Sequence, residues 1–203
     1  MNKKQILLSG AFLWVFAVVG TSFVAVTEET TRTRIAENER RVLLRNLNAL
    51  LPAEELDNDI VSDTTTVPAS TLLGTEGDTI VYRARLQGRP VAAIFKSVAP
   101  NGYSGKIYLL VGVYADGSVA GVRAVKHSET PGLGDAIDTN KTDWIFSFNS
   151  RSLENPQPSK WLVKRDGGEY DQFTGATITP RAVVLAVKNT LQYYQQNAAQ
   201  LFQ

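Results

Sequence analysis

Residues 6–26, ILLSGAFLWVFAVVGTSFVAV, contain no charged side chain. At ~1.5 Å of helical rise per residue, about 20 such residues reach across a ~30 Å hydrocarbon layer. A secretory signal is the competing reading, because Lys3 and Lys4 precede the run. A signal's apolar region is only about 7–15 residues, and no A-x-A-like cleavage site lies around Val26. The sequence therefore predicts a retained membrane anchor. Lys3 and Lys4 stand before the span, and Glu28 and Glu29 follow it. By the positive-inside rule the N-terminus stays cytoplasmic and the remainder is exported. In a bacterium this means a single-pass protein of the inner membrane, embedded in its lipid bilayer, with a periplasmic C-terminal domain.

Composition then removes several kinds of chemistry. The chain has no cysteine and one histidine, His127. Disulfides, thiolate metal sites, iron–sulfur clusters, cysteine nucleophiles and multi-histidine metal sites are all excluded. A redox role would need an organic cofactor. Net charge is +1, and the basic residues are scattered, which argues against a nucleic-acid partner. The apolar content is that of a core-forming chain.

The organisation of the rest follows from periodicity. Over residues 33–51, Ile35, Val42, Leu43, Leu47, Leu50 and Leu51 recur at helical spacing, and Pro52 ends the pattern. Residues 57–70 are polar and read as a linker. Strand patterns cover 79–86, 91–98, 106–114 and 118–126, joined by a turn at 87–90 and by the Asp116-Gly117 hairpin signal. They predict an antiparallel sheet of about four strands. Residues 142–148 read as a short packed helix or turn, 154–159 as a loop and 161–163 as a short strand. A last helix is expected after Pro180, with Thr179 as its N-cap and Val183, Val184, Val187, Leu191 and Tyr194 on its packed face. The fold class is α+β: an N-terminal transmembrane helix, then a domain whose antiparallel sheet is flanked by helices. The expected divisions are 1–27 (anchor), 28–70 (exported helix and linker) and 71–203 (folded domain).

Three glycine-containing stretches suit ligand contact, since loops there present backbone N–H groups. They are GYSG at 102–105, SETPGLG at 128–134 and TGAT at 174–177. TGAT admits two accounts: a plain turn before a helix, or an anion site at that helix's positive end. In the second account Thr177 lies beside the anion, to hydrogen-bond it or to be esterified by it. Spacing does not choose between them. Gly132-Leu133-Gly134 is not a dinucleotide fingerprint, because Ile137 replaces the third glycine and no βαβ unit surrounds it. His127 beside Ser128 is poor geometry for a hydrolase pair, because neighbours on a strand face opposite ways.

The order of these motifs carries a resemblance. GYSG before an apolar strand, then H-x-E-T-P-G-L-G, then D-x-x-T-G-A-T, all behind a short N-terminal anchor, resembles the RnfG family, the G subunits of the Rnf (Rsx) ion-translocating electron transport complexes. The pattern is also similar to that of the C subunit of the sodium-translocating NADH:quinone reductase. The resemblance covers the chain essentially end to end. It implies a domain carrying covalent FMN, its phosphate esterified to Thr177, with Thr174, Gly175 and Ala176 completing the attachment motif. Candidate ring contacts are Glu129, Thr130, Leu133 and Gly134 in one loop and Ser104 and Gly105 in another. Asp171 would assist a dedicated flavin transferase that installs the group from FAD. The partners implied are the other subunits of a membrane electron transport complex. No catalytic acid or base and no metal are expected. The alternatives are a cofactor-free anchored scaffold subunit and a noncovalent periplasmic ligand-binding protein.

Overall fold

The computed structural model describes residues 2–202, apart from the side chain of Ala53. Helix α1, Lys3–Asn48, is one uninterrupted element of 46 residues. It joins the apolar span and the amphipathic stretch that the sequence reads as separate helices. No glycine or proline stands between Val26 and Ile35 to break it. The chain divides into two compact units, Met1–Leu44 and Arg45–Gln203.

In the first unit the apolar side chains of α1 are exposed on every side, including Phe12, Leu13, Trp14, Phe16 and Phe23. A helix apolar all round suits lipid, and this one is long enough to cross a membrane. Thr21 and Thr27 donate their hydroxyls back to the carbonyls of Ala17 and Phe23, at 2.7 and 2.8 Å. Such bonds satisfy a hydroxyl where no water reaches it.

The second unit is built on a five-stranded antiparallel sheet in the order β1-β2-β3-β4-β5. The strands are β1 Thr64–Val67, β2 Thr79–Leu86, β3 Arg89–Gly102, β4 Gly105–Tyr114 and β5 Val119–Lys126. The expected four strands become five because the threonine run at 64–66, read as linker, pairs with β2. The turn after β2 is only Gln87-Gly88, since Arg89 already faces Leu86. At 161–163 the expected strand reduces to one bridge, Val163 to Tyr170. Trp161 is fully buried and packs on Phe148 and Tyr170.

Helix α2, Ile178–Leu201, lies on one face of the sheet, and its predicted stripe of Val183, Val184, Val187, Leu191 and Tyr194 is buried. Phe95 of β3 meets Tyr193 and Tyr194 edge-on, with ring centroids 6.0 and 6.2 Å apart. A buried hydroxyl pair, Ser97 with Thr190 at 2.7 Å, adds a polar link of the kind expected of groups shut off from water. Residues 45–60 cover the other face. Leu47, Leu50 and Leu51 are buried, and Leu50 sits so closely over Gly121 that a Cβ there would meet it at 3.0 Å. Short 3₁₀ turns at Gly134–Ile137 and Trp144–Phe148 close the end of the core nearest the start of α2.

Candidate functional site

Three segments remote in sequence converge where α2 begins. One is the tip of the β3–β4 hairpin, Tyr103-Ser104, flanked by the paired Gly102 and Gly105. The second is the chain leaving β5, residues 127–134. The third is the turn at 174–177 that leads into α2. Gly175 has φ +80°, in the left-handed region that side chains with a Cβ disfavour. The reversal it makes lets the Ala176 N–H reach the Phe173 carbonyl at 3.1 Å. Phe173 is held from behind by Trp144, edge-on at 5.1 Å. The Trp144 indole donates to the Asp171 carbonyl at 2.8 Å, and the Asp171 carboxylate is paired with Lys164 at 2.6 Å.

Between these segments lies a groove of about 230 Å³. Glu129, Thr130, Leu133 and Gly134 line it from one loop, and Gly175, Ala176 and Thr177 from the other. Ser104, Gly105 and Thr174 do not. Ser104 instead gives its N–H to Glu129 at 3.0 Å, and Thr174 is exposed outside the groove lining. Tyr103, Ile178 and Thr179 line the groove without having been expected there. The sequence held one signal for Tyr103: an aromatic side chain at a glycine-bounded hairpin tip cannot be packing into the sheet. It is 68% exposed, and with Leu133 at 42% and Ile178 at 44% it gives the groove an open apolar rim.

The helix start differs from the sequence expectation. Thr177, not Thr179, stands at the N-cap position of α2, with φ −77° and ψ −26° and no side-chain cap. Pro180 is therefore the third residue of the helix. The cause is tertiary: Thr179 is fully buried and donates its hydroxyl to Glu129. Among the described residues, the N–H groups of Thr177, Ile178 and Thr179 find no partner. Together with the helix dipole they form the positive end of α2. Arg181 follows in the same turn, held by Asp166 through two bonds of 2.7 and 2.9 Å. The hydrogen bond from Arg181 keeps the Asp166 carboxyl below the usual carboxylate range.

His127 stands behind the groove. Its Nδ1 accepts the Glu129 N–H at 3.2 Å, which leaves Nε2 to donate to Asp138 at 3.1 Å. These two bonds tie the ring, just past the end of β5, to the backbone of its own loop and to the turn at Asp138.

An open apolar rim, a free hydroxyl and three unpartnered amides at a helix start suit a flat aromatic ligand bearing an anionic group. The fold and site thus define a helix-anchored domain built to hold such a ligand. Residues 102–192 match the family model of the FMN-binding domain, and residues 1–50 match that of the RnfG N-terminal region. The chain is 46% identical over 200 residues to the G subunit of the ion-translocating oxidoreductase complex of Pseudoalteromonas atlantica, covering 98% of this chain and 93% of that one. It is 43% identical to the G subunit from Shewanella baltica, covering 98% and 94%. Against that from Vibrio atlanticus it is 44% identical, covering 93% and 90%. The chain belongs to the family of G subunits of ion-translocating oxidoreductase complexes, and it carries an FMN-binding domain.

Proposed function

We propose that this protein is a membrane-anchored flavoprotein subunit that carries FMN as a phosphoester on Thr177 and relays electrons within an ion-translocating electron transport complex. The observation that carries the reading is the position of one hydroxyl. Thr177 lines the groove at the start of α2, beside the unpartnered amides. Thr174 lies outside the groove, and the Thr179 hydroxyl is buried and engaged.

The chain's residues fit FMN in both halves. A phosphate on Thr177 would be favoured by the dipole and by the N–H groups of residues 177–179. Tyr103, Leu133 and Ile178 offer apolar contact for a flat ring at the rim. When bound, FMN supplies the electron-transfer chemistry; the protein supplies orientation and a controlled environment. Attachment forms a bond from Thr177 Oγ1 to the flavin-side phosphorus of FAD, breaks the pyrophosphate, and releases AMP and the hydroxyl proton. A flavin transferase would be needed for it. A tether of this kind removes most of the translational entropy that opposes binding. The span at 6–26, with Lys3 and Lys4 before it, supports an inner-membrane anchor with the FMN-binding domain on the periplasmic side.

The test is in-gel flavin fluorescence of the denatured protein, made in cells that contain a flavin transferase. Fluorescence retained in Thr174→Ala and lost in Thr177→Ala is expected, with an FMN-sized addition on the 166–181 peptide. The reverse pattern moves the site to Thr174. An unmodified peptide in every case leaves a cofactor-free scaffold subunit.

A further inference from the structure

The three segments around the groove meet on one side chain, Glu129, which is 4% exposed. One carboxylate oxygen accepts the Ser104 N–H from the hairpin tip at 3.0 Å. The other accepts the Thr179 hydroxyl from the first turn of α2. The backbone N–H of Glu129 is tied in turn to His127, and His127 to Asp138. Two glycines press against the same carboxylate. A Cβ on Gly102 or on Gly134 would stand 2.8 Å from one of its oxygens. A buried carboxylate is costly unless its oxygens are met by donors, and a neutral amide offers only one acceptor atom for the two donors here.

Resting on the attachment at Thr177 proposed above, we infer that Glu129 is a positioning residue that selects the attachment hydroxyl. It locks the hairpin tip onto the start of α2 and engages the Thr179 hydroxyl. Of the two threonines in that turn, Thr177 is left as the one whose oxygen is free for esterification. Hydroxyl choice is thus a property of the acceptor's own fold, not only of the enzyme that modifies it.

The experiment uses the full-length protein in detergent, produced with a flavin transferase, as wild type, Glu129→Gln, Thr179→Ser and Thr179→Val. Three readouts are taken: FMN position and occupancy on the 166–181 peptide, flavin fluorescence anisotropy of the folded protein, and amide exchange at Ser104. In Glu129→Gln the Ser104 amide should exchange about tenfold faster, having lost a bond to a charged acceptor. Its Thr177 occupancy should fall at least about tenfold, or FMN should spread to Thr179, because small misplacements of a reacting group are costly. Residual flavin should show lower anisotropy. Thr179→Val should lower Thr177 occupancy, and Thr179→Ser, which keeps the hydroxyl, should restore it. Full Thr177 occupancy with unchanged anisotropy and Ser104 protection in Glu129→Gln overturns the inference. Should that variant not fold, equal occupancy in Thr179→Val and Thr179→Ser overturns it. A wild type bearing no flavin defeats the FMN reading instead, and Ser104 exchange then still decides whether the lock exists.

Discussion

At Gly134 a methyl group has nowhere to go. It would lie 2.8 Å from Glu129 Oε2, 2.8 Å from Thr179 Oγ1 and 3.0 Å from Glu129 Cβ. All three atoms are buried, so relief requires moving the loop or breaking the lock. Gly134→Ala is therefore expected to destabilise the domain by about 1–3 kcal/mol, the usual range for overpacking. Gly77→Ala, with nothing within 4 Å of the added carbon, should be near neutral. Thermal unfolding of the two variants side by side checks this, and equal melting temperatures would contradict it. The sequence pointed to this place through its glycines but not to their reason. Gly132-Leu133-Gly134 reads as part of a loop suited to ligand contact, whereas Gly134 is small to admit a carboxylate of the same protein. Glu129 itself reads as a polar ligand contact, and its carboxylate is occupied within the fold. Which partner a buried polar group takes depends on atoms brought from elsewhere in the chain, and local spacing does not record them.

Helix α2 shows the same limit on a larger scale, and its far end shows a second device. Arg83 and Arg85 of β2 both pair with Asp63, just before β1, at 2.6 and 2.9 Å. The same guanidinium groups reach the carbonyls of Leu201 and Phe202 at 3.5 and 3.2 Å, and Arg85 lies over the Phe202 ring. The carbonyls at the C-terminal end of α2 thus find donors from β2. Burial raises the pKa of Asp63, but the hydrogen bonds and charges of Arg83 and Arg85 outweigh it and hold the carboxyl below its ordinary value of 3.8. A depressed carboxylate stabilises the fold at pH values above the unfolded pKa, and that contribution is lost as pH falls through the folded one. Wild-type stability should therefore drop on acidification below about pH 4, and Asp63→Asn should be less stable at pH 7 but flatter in that window. Melting temperatures measured from pH 7 down to pH 3 would show it; parallel curves for the two proteins would rule it out. The long apolar strands and the stripe on α2 were legible because burial imposes their periods. β1 was not: it is a polar edge strand with only Val67 buried, and threonines there satisfy β-geometry without an apolar alternation. The start of α2 reads two residues late in the sequence because Thr179 matches a cap locally and is recruited by Glu129 globally.

For the whole molecule, the decisive question is where the folded domain begins. The FMN-binding family model starts at Gly102, and residues 28–70 read in the sequence as a helix and linker outside the domain. The compact unit begins earlier, at Arg45. Leu47, Leu50 and Leu51 are buried, and Arg123 of β5 donates to the Ala49 carbonyl at 2.7 Å. Further along, Glu55 accepts the Tyr114 hydroxyl at 2.9 Å, and Asn58 bonds the backbone of Arg83 and Arg85. Fully burying a leucine contributes about 1.5–3 kcal/mol, so the three together supply at most about 9 kcal/mol. That is comparable with the net stability of a typical domain, about 5–15 kcal/mol. A chain of residues 45–203 should therefore unfold cooperatively in solution. One of residues 53–203 should expose the second face of the sheet, bind a hydrophobic dye and lose its sharp transition. Matching calorimetric transitions for the two would mean that the leucines merely rest on the sheet. The helix that carries the apolar span includes Leu47 and stops at Asn48, just before Leu50 and Leu51. Replacing Leu47, Leu50 and Leu51 by alanine in the full-length protein should thus unfold the domain while leaving the chain in the membrane fraction.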